Sequence, residues 1–168
     1  VANGEVIATN GILTEDLEPP SRDVGLIGPF PMTPVTEDDF LVPTELPDGE
    51  VTVLAIEVTD QIFVRKRRDL TLRVESSHVC LDRNQDVALV SVVERYGRNS
   101  NRPVAFVAGF GLKSGALATS TAPDDNNIVV IGVSTSDMAI AVNHLATEGG
   151  GQVVVRDGEI QEFLPLPI

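Results

Sequence analysis

The sequence predicts an α+β domain: a mainly antiparallel or mixed sheet with two or three helices, preceded by a β-hairpin remnant and a proline-rich connector. Three observations predict it. Residues 50–168 hold several short apolar runs rich in β-branched residues, each closed by glycine or polar turns, which is the pattern of strands. One stretch, STSDMAIAVNHLATEGG, repeats apolar residues at helical spacing. Seven of the eleven prolines crowd into residues 18–49, where each removes a backbone donor and fixes φ.

Residues 1–17 read as two short strands around the turn pairs Asn3-Gly4 and Asn10-Gly11. A hairpin of that size is marginal alone, so these residues are expected to end a small β domain. Residues 18–49 form the connector, wrapped on a surface, with TEDDF (Thr36 to Phe40) able to make one helical turn. From Glu50 onward, EVTVLAIEV, LTLRVES, DVALVSVVERYG and PVAFVAGFG read as strands, and the basic RKRR (Arg65 to Arg68) marks an exposed edge or turn. LKSGALATST (Leu112 to Thr121) is rich in small residues and predicts a short helix after a glycine turn. NIVVIGVS is apolar at every strand position, the pattern of a strand buried on both faces. The main helix is capped by Ser134 with Asp137 in capping-box spacing, carries Met138, Ala141, Val142 and Leu145 on one stripe, and stops at Gly149. GQVVVRDGEIQEFLPLPI closes with a hairpin at Asp157-Gly158. Domain organisation is therefore 1–17, 18–49 and 50–168.

Apolar residues make up 42% of the chain and aromatic residues only 4%, with no Trp, so the core is aliphatic. The net charge of −13 argues against nucleic acid as a partner, because phosphate backbones are repelled, and fits a highly soluble, halotolerant surface. No apolar run approaches the roughly 20 residues of a membrane span, so no membrane partner is expected. No signal peptide is visible, and a cytoplasmic location is expected. The absence of an initiator Met suggests a piece of a longer chain. Cys80 is the only cysteine, which rules out an intrachain disulfide and a cysteine-rich zinc site.

Four features carry possible chemistry. GFGLKSG (Gly109 to Gly115) looks like a phosphate loop, but its third glycine comes one residue late for G-x-G-x-x-G, and Leu112 stands where a P-loop needs glycine. It is either an anion-binding turn before a helix or a close approach of backbone to a neighbouring element. His78 and Cys80 share a strand face, yet two ligands do not make a metal site, and His144 is the only other histidine. PDDNN (Pro123 to Asn127) is either a polar ligand loop or a turn of standard turn formers. Two histidines at these spacings give no basis for a nucleophilic triad. No catalytic and no metal-binding residue is assigned from the sequence itself.

Several blocks in order resemble the C-terminal domain of adenine deaminase, of the metal-dependent amidohydrolase superfamily: VVERYG (Val92 to Gly97), VAGFGLKSGALATS (Val107 to Ser120), NIVVIGVSTSDMAIAVNHL (Asn127 to Leu145) and GGGQVVVRDGEIQEFLPLPI (Gly149 to Ile168). The resemblance implies a hydrolase of purine salvage that converts adenine and water to hypoxanthine and ammonia. It implies a catalytic barrel upstream in the same polypeptide, binding Fe, Mn or Zn, with this chain packed near the barrel, free of cofactors itself and inactive alone. It also implies a homo-oligomer. Lys113, Asp124 and Asn127 are then the residues nearest the substrate. The family pattern A-H-D-S-H-N falls on Ala122 to Asn127, where Pro123 and Asn126 replace both histidines. That departure implies an alternative, a non-catalytic structural or oligomerisation module of a deaminase-like amidohydrolase with a different substrate.

Overall fold

The computed structural model describes residues 6–10, 12–14, 28–60, 65–122 and 126–166. Eleven strands are present among them: β1 (Ala8–Thr9), β2 (Ile12–Leu13), β3 (Gly49–Val58), β4 (Arg65–Glu75), β5 (His78–Cys80), β6 (Val87–Val93), β7 (Val104–Ala108), β8 (Ala116–Thr119), β9 (Ile128–Gly132), β10 (Gly151–Arg156) and β11 (Glu159–Pro165). β1 and β2 form a separate two-stranded ribbon, with Asn10 at φ 53° in the turn. The other nine make one mixed sheet in the order β11-β10-β8-β9-β6-β7-β3-β4-β5. Only β3 and β7 run parallel; the remaining pairs are antiparallel.

A single α-helix, α1 (Thr135–Glu148), accompanies this sheet among the described residues, with two short 3-10 turns at Glu37–Phe40 and Arg83–Gln85. The expectation of two or three helices is thus overturned, and the architecture is mainly β. The helix expected at Leu112–Thr121 is instead strand β8, hydrogen-bonded between β9 and β10. Ala116 and Ala118 are buried while Leu117 and Thr119 are half-buried, a period of two rather than 3.6. Helix propensity of small residues is a weak preference, and pairing on both edges of β8 outweighs it.

α1 begins and ends as its sequence dictates. The Asp137 N–H donates to Ser134 Oγ at 3.3 Å, and Gly149 takes φ 75°, its N–H donating to the Leu145 carbonyl. The capping box is not closed reciprocally: Asp137 is buried and its Oδ1 accepts from the Gly158 N–H at 2.8 Å, tying the helix start to the Asp157-Gly158 hairpin turn. Met138, Ala141, Val142 and Leu145 are fully buried on one face of the sheet, with Ile128, Val130, Val153 and Val155 beneath them. Burying each large aliphatic side chain there contributes about 1.5–3 kcal/mol.

The proline-rich segment enters this core. Phe40 is completely buried and Val35 nearly so. The Phe30 N–H donates to the Ala146 carbonyl at 2.8 Å, and Arg102 pairs with Asp39 at 2.8 Å. Thr36, Asp39 and the 3-10 turn form a capping box, with the Thr36 N–H on Asp39 Oδ2 at 2.7 Å. Prolines set the extended path, and apolar residues between them anchor it.

Candidate functional site

The antiparallel registers sort the loops onto two ends of the sheet. Ala116 pairs with Gly132, and Thr119 pairs with Val129. Lys113 therefore belongs to the end where β9 finishes, and Asn127 to the end where it starts. β9 alone separates them by about 15 Å at the usual rise per residue. Asp124 lies outside the described residues, and of its loop the structure shows Ser120–Ala122 and Asn126–Asn127. The three residues singled out from the sequence are thus not brought into one cluster.

At the Lys113 end, two amides of the glycine turn are already engaged. The Gly109 N–H donates to the Asp86 carbonyl at 3.0 Å, and the Gly111 N–H donates to Asp86 Oδ1 at 2.9 Å. Lys113 Nζ stands 3.8 Å from the same carboxylate oxygen, with most of its side chain in solvent. A strand follows, so no helix N-terminus points at the turn. Gly115 has φ 75°, and a Cβ there would collide with the Val155 carbonyl. Of the two sequence readings of GFGLKSG, the structure supports close backbone approach rather than anion binding.

The Asn127 end gathers more of the quoted blocks. Val93 pairs with Ile128, which sets Glu94–Gly97 beside Asn126 and Asn127. Gln152 pairs with Thr119, and Gly151 pairs with Pro165, which brings Gly149–Gly151 and Leu166 to the same end. Ser120 is fully buried there: its Oγ accepts from the Gly151 N–H at 2.8 Å, while its own N–H donates to the Gly151 carbonyl at 3.0 Å. Thr119 Oγ1 and Thr121 Oγ1 share a hydrogen bond at 2.9 Å.

Two charged side chains fix the turn after β6. Glu94 accepts from the backbone N–H groups of Tyr96 (2.7 Å), Arg98 (3.0 Å) and Asn99 (3.3 Å). Desolvation pushes its pKa up, but the N–H groups of Asn99, Tyr96, Arg98 and Ser100 together outweigh that and hold it below the usual carboxylate value. Arg95 is only 7% exposed. Its guanidinium stacks 4.5 Å from the Phe30 ring centroid and 5.1 Å from that of Tyr96. Nη2 lies 3.4 Å from the Tyr96 hydroxyl, and Nη1 is buried with no hydrogen-bond partner among the described residues. Sequence reasoning included Glu94 and Arg95 only as letters of a block. Nothing in the local pattern signals that Arg95 stacks on Phe30, 65 positions earlier in the chain.

This end can hydrogen-bond and position. It holds no nucleophile–base pair among the described residues. His144 packs edge-on against Phe163 at 4.5 Å, and His78 Nδ1 contacts the Ser76 carbonyl at 2.9 Å on β5. No three His, Cys, Asp or Glu side chains among the described residues gather closely enough for a metal ion. No helix among them is long and apolar enough to cross a membrane.

Comparison with known proteins places these features. Residues 62–168 match the family model of the adenine deaminase C-terminal domain. Over its whole length the chain is 54% identical to adenine deaminase 4 of Rhizobium meliloti, 47% identical to adenine deaminase 1 of Desulfotalea psychrophila and 45% identical to adenine deaminase 1 of Latilactobacillus sakei. The relatives are thus purine-acting deaminases by name, and the chain spans 28% of the length of each. This chain belongs to the adenine deaminase C-terminal domain family.

Proposed function

We propose that this chain serves as the C-terminal part of a polypeptide that hydrolyses adenine to hypoxanthine and ammonia. The sheet end formed by Glu94–Gly97, Ser120–Ala122, Asn126–Asn127 and Gly149–Gly151 faces the mouth of a catalytic barrel in the remaining polypeptide. The observation that carries this reading is convergence: blocks spread over more than fifty residues of sequence meet at one end of one sheet. Full-length identity to adenine deaminases supports the reaction class.

Asp124 and Asn127 are the substrate-proximal residues in this reading. Lys113, at the opposite end, braces Asp86 and the glycine turn. The described residues do not fit a hydrolytic metal, so Fe, Mn or Zn would belong to the barrel, where it would supply an activated water. The parent enzyme would work as a cytoplasmic homo-oligomer. Assaying ammonia release from adenine by the full-length protein tests the reading; absence of turnover with Fe, Mn and Zn each supplied would refute it.

A second reading rests on Pro123 and Asn126, which occupy the positions where the family pattern has histidine. In that case the same scaffold shields or assembles a deaminase-like amidohydrolase acting on a different substrate. Turnover of another purine in preference to adenine by the full-length protein would favour it.

A further inference from the structure

α1 covers one face of the nine-stranded sheet; on the other, Ala88 of β6 and Val107 of β7 are buried, while large apolar side chains on the flanking strands stay exposed or half-buried. The registers place Leu54 and Ile56 of β3, Leu117 of β8, Ile131 of β9, Val154 of β10 and Leu164 of β11 on that second face. Leu54, Ile56 and Leu164 are 56%, 45% and 54% exposed. Part of the face forms a groove of about 630 Å³ whose lining includes Leu117, Ile131, Val154 and Leu164, with Glu162 as its one charged side chain among the described residues. From β11 to β3 the surface crosses seven strands, about 30 Å at the usual strand spacing. That is far wider than a small-molecule pocket, and apolar surface on this scale marks a macromolecular interface.

Sequence and burial disagree in an informative way. β9 is apolar at every position before its closing glycine, the composition of a strand covered on both sides. Yet Val129 and Ile131 are only half-buried, while Ile128 and Val130 on the helix side are fully buried. The amino-acid pattern specifies a second layer that the described residues do not supply.

We propose that this layer is the remaining polypeptide, docked across the face opposite α1. Two observations select that occupant. The chain spans 28% of its relatives, so a much larger body is joined to it covalently and is held at high local concentration. A second copy would bring together two molecules that each carry a net charge of −13, and the groove, with Glu162 as its charged side chain, offers no cation to offset that repulsion there. The inference rests on the proposed function only in taking the relatives' long architecture to apply here; it does not depend on adenine as substrate.

The test uses the full-length protein with the photo-crosslinking residue benzoylphenylalanine at Leu54 or Leu164, and at Ser136 on the solvent side of α1 as reference. Leu54, Leu164 and Ser136 are all exposed, so folding is preserved. Mixing isotopically light and heavy protein separates links within one polypeptide from links between copies. The expected result is crosslinked peptides joining Leu54 and Leu164 to segments outside these 168 residues, in yield well above that at Ser136. Links between light and heavy copies, links only within residues 1–168, or a yield no higher than at Ser136 would each overturn the proposal. Adenine turnover, measured on the same samples, separates the two claims: crosslinks without turnover sink the substrate reading alone, and turnover without such crosslinks sinks the docking face alone.

Discussion

Asn143 of α1 holds Val35 by both backbone groups: the Val35 N–H donates to Asn143 Oδ1 at 2.9 Å, and Asn143 Nδ2 donates to the Val35 carbonyl at 2.8 Å. A side-chain amide here imitates a strand partner. It supplies the proline-rich segment with a ladder rung that its neighbours cannot form, and it sets Phe40 over its pocket.

Asn143→Ala leaves the Val35 N–H and carbonyl unpaired in a site where Val35 is 3% exposed. Unsatisfied buried groups cost about 1–3 kcal/mol each, so the loss should exceed that of an ordinary surface substitution. Urea denaturation of the 168-residue chain should show a lowered midpoint. A midpoint matching the unsubstituted chain would show the clamp to be energetically idle.

Glu94 gives the turn after β6 an acid limit. Its folded pKa lies below the ordinary 4.5. The stability it contributes is therefore complete above that ordinary value and is lost as pH falls through the lower folded value. Glu94→Gln removes this dependence. The stability difference between the two proteins should shrink as pH falls from about 5 to 3, read by thermal denaturation across that range. A difference that stays constant with pH would assign the turn's stability to shape rather than charge. Asp82, held low by Gln85 and the Asn84 N–H, should behave likewise on the opposite end of the sheet.

On the proposed function, Asp124→Ala and Asn127→Ala in the full-length protein should lower kcat/KM for adenine on the order of tenfold to a hundredfold, the usual effect of losing substrate positioning. Lys113→Ala should leave kcat/KM near its original value, because its partner is the exposed side of Asp86 at the far end of β9. Equal losses for all three would mean that the two ends of the sheet report to one site.

Gly115→Ala should destabilise the chain by about 2 kcal/mol or more, since the new methyl meets the Val155 carbonyl and the backbone sits at φ 75°. Calorimetry of the chain would show this as a drop in Tm. An unchanged Tm would indicate that β8 and β10 separate at little cost.

The legible parts of this fold were those with short-range chemistry. Ser134, the apolar stripe of α1 and Gly149 all act within a few residues of one another, as does the Asp157-Gly158 turn. β8 was illegible because its identity as a strand depends on β9 and β10, which follow it in the chain; alanines carry no local signal of that kind. The resemblance set Lys113 together with Asp124 and Asn127; β9 carries Lys113 and Asn127 to opposite ends of the sheet, and Asp124 lies outside the described residues. Arg95 and Asn143 were missed because each makes its defining contact far away, with Phe30 and Val35, and a lone Arg or Asn in a single sequence does not announce that.

The strand order also dictates when the sheet can exist during synthesis. β8 has neighbours only in β9 and β10, both made after it, and β6 lacks its second neighbour until β9 emerges. A nascent chain ending before Ile128 therefore displays β8 with nothing to pair with. Such distant pairings slow folding towards the millisecond-to-second range. On the ribosome, the stretch from Ala116 stays unpaired until β9 through Gly132 has left the exit tunnel, and its second edge stays open until β10 through Arg156 follows.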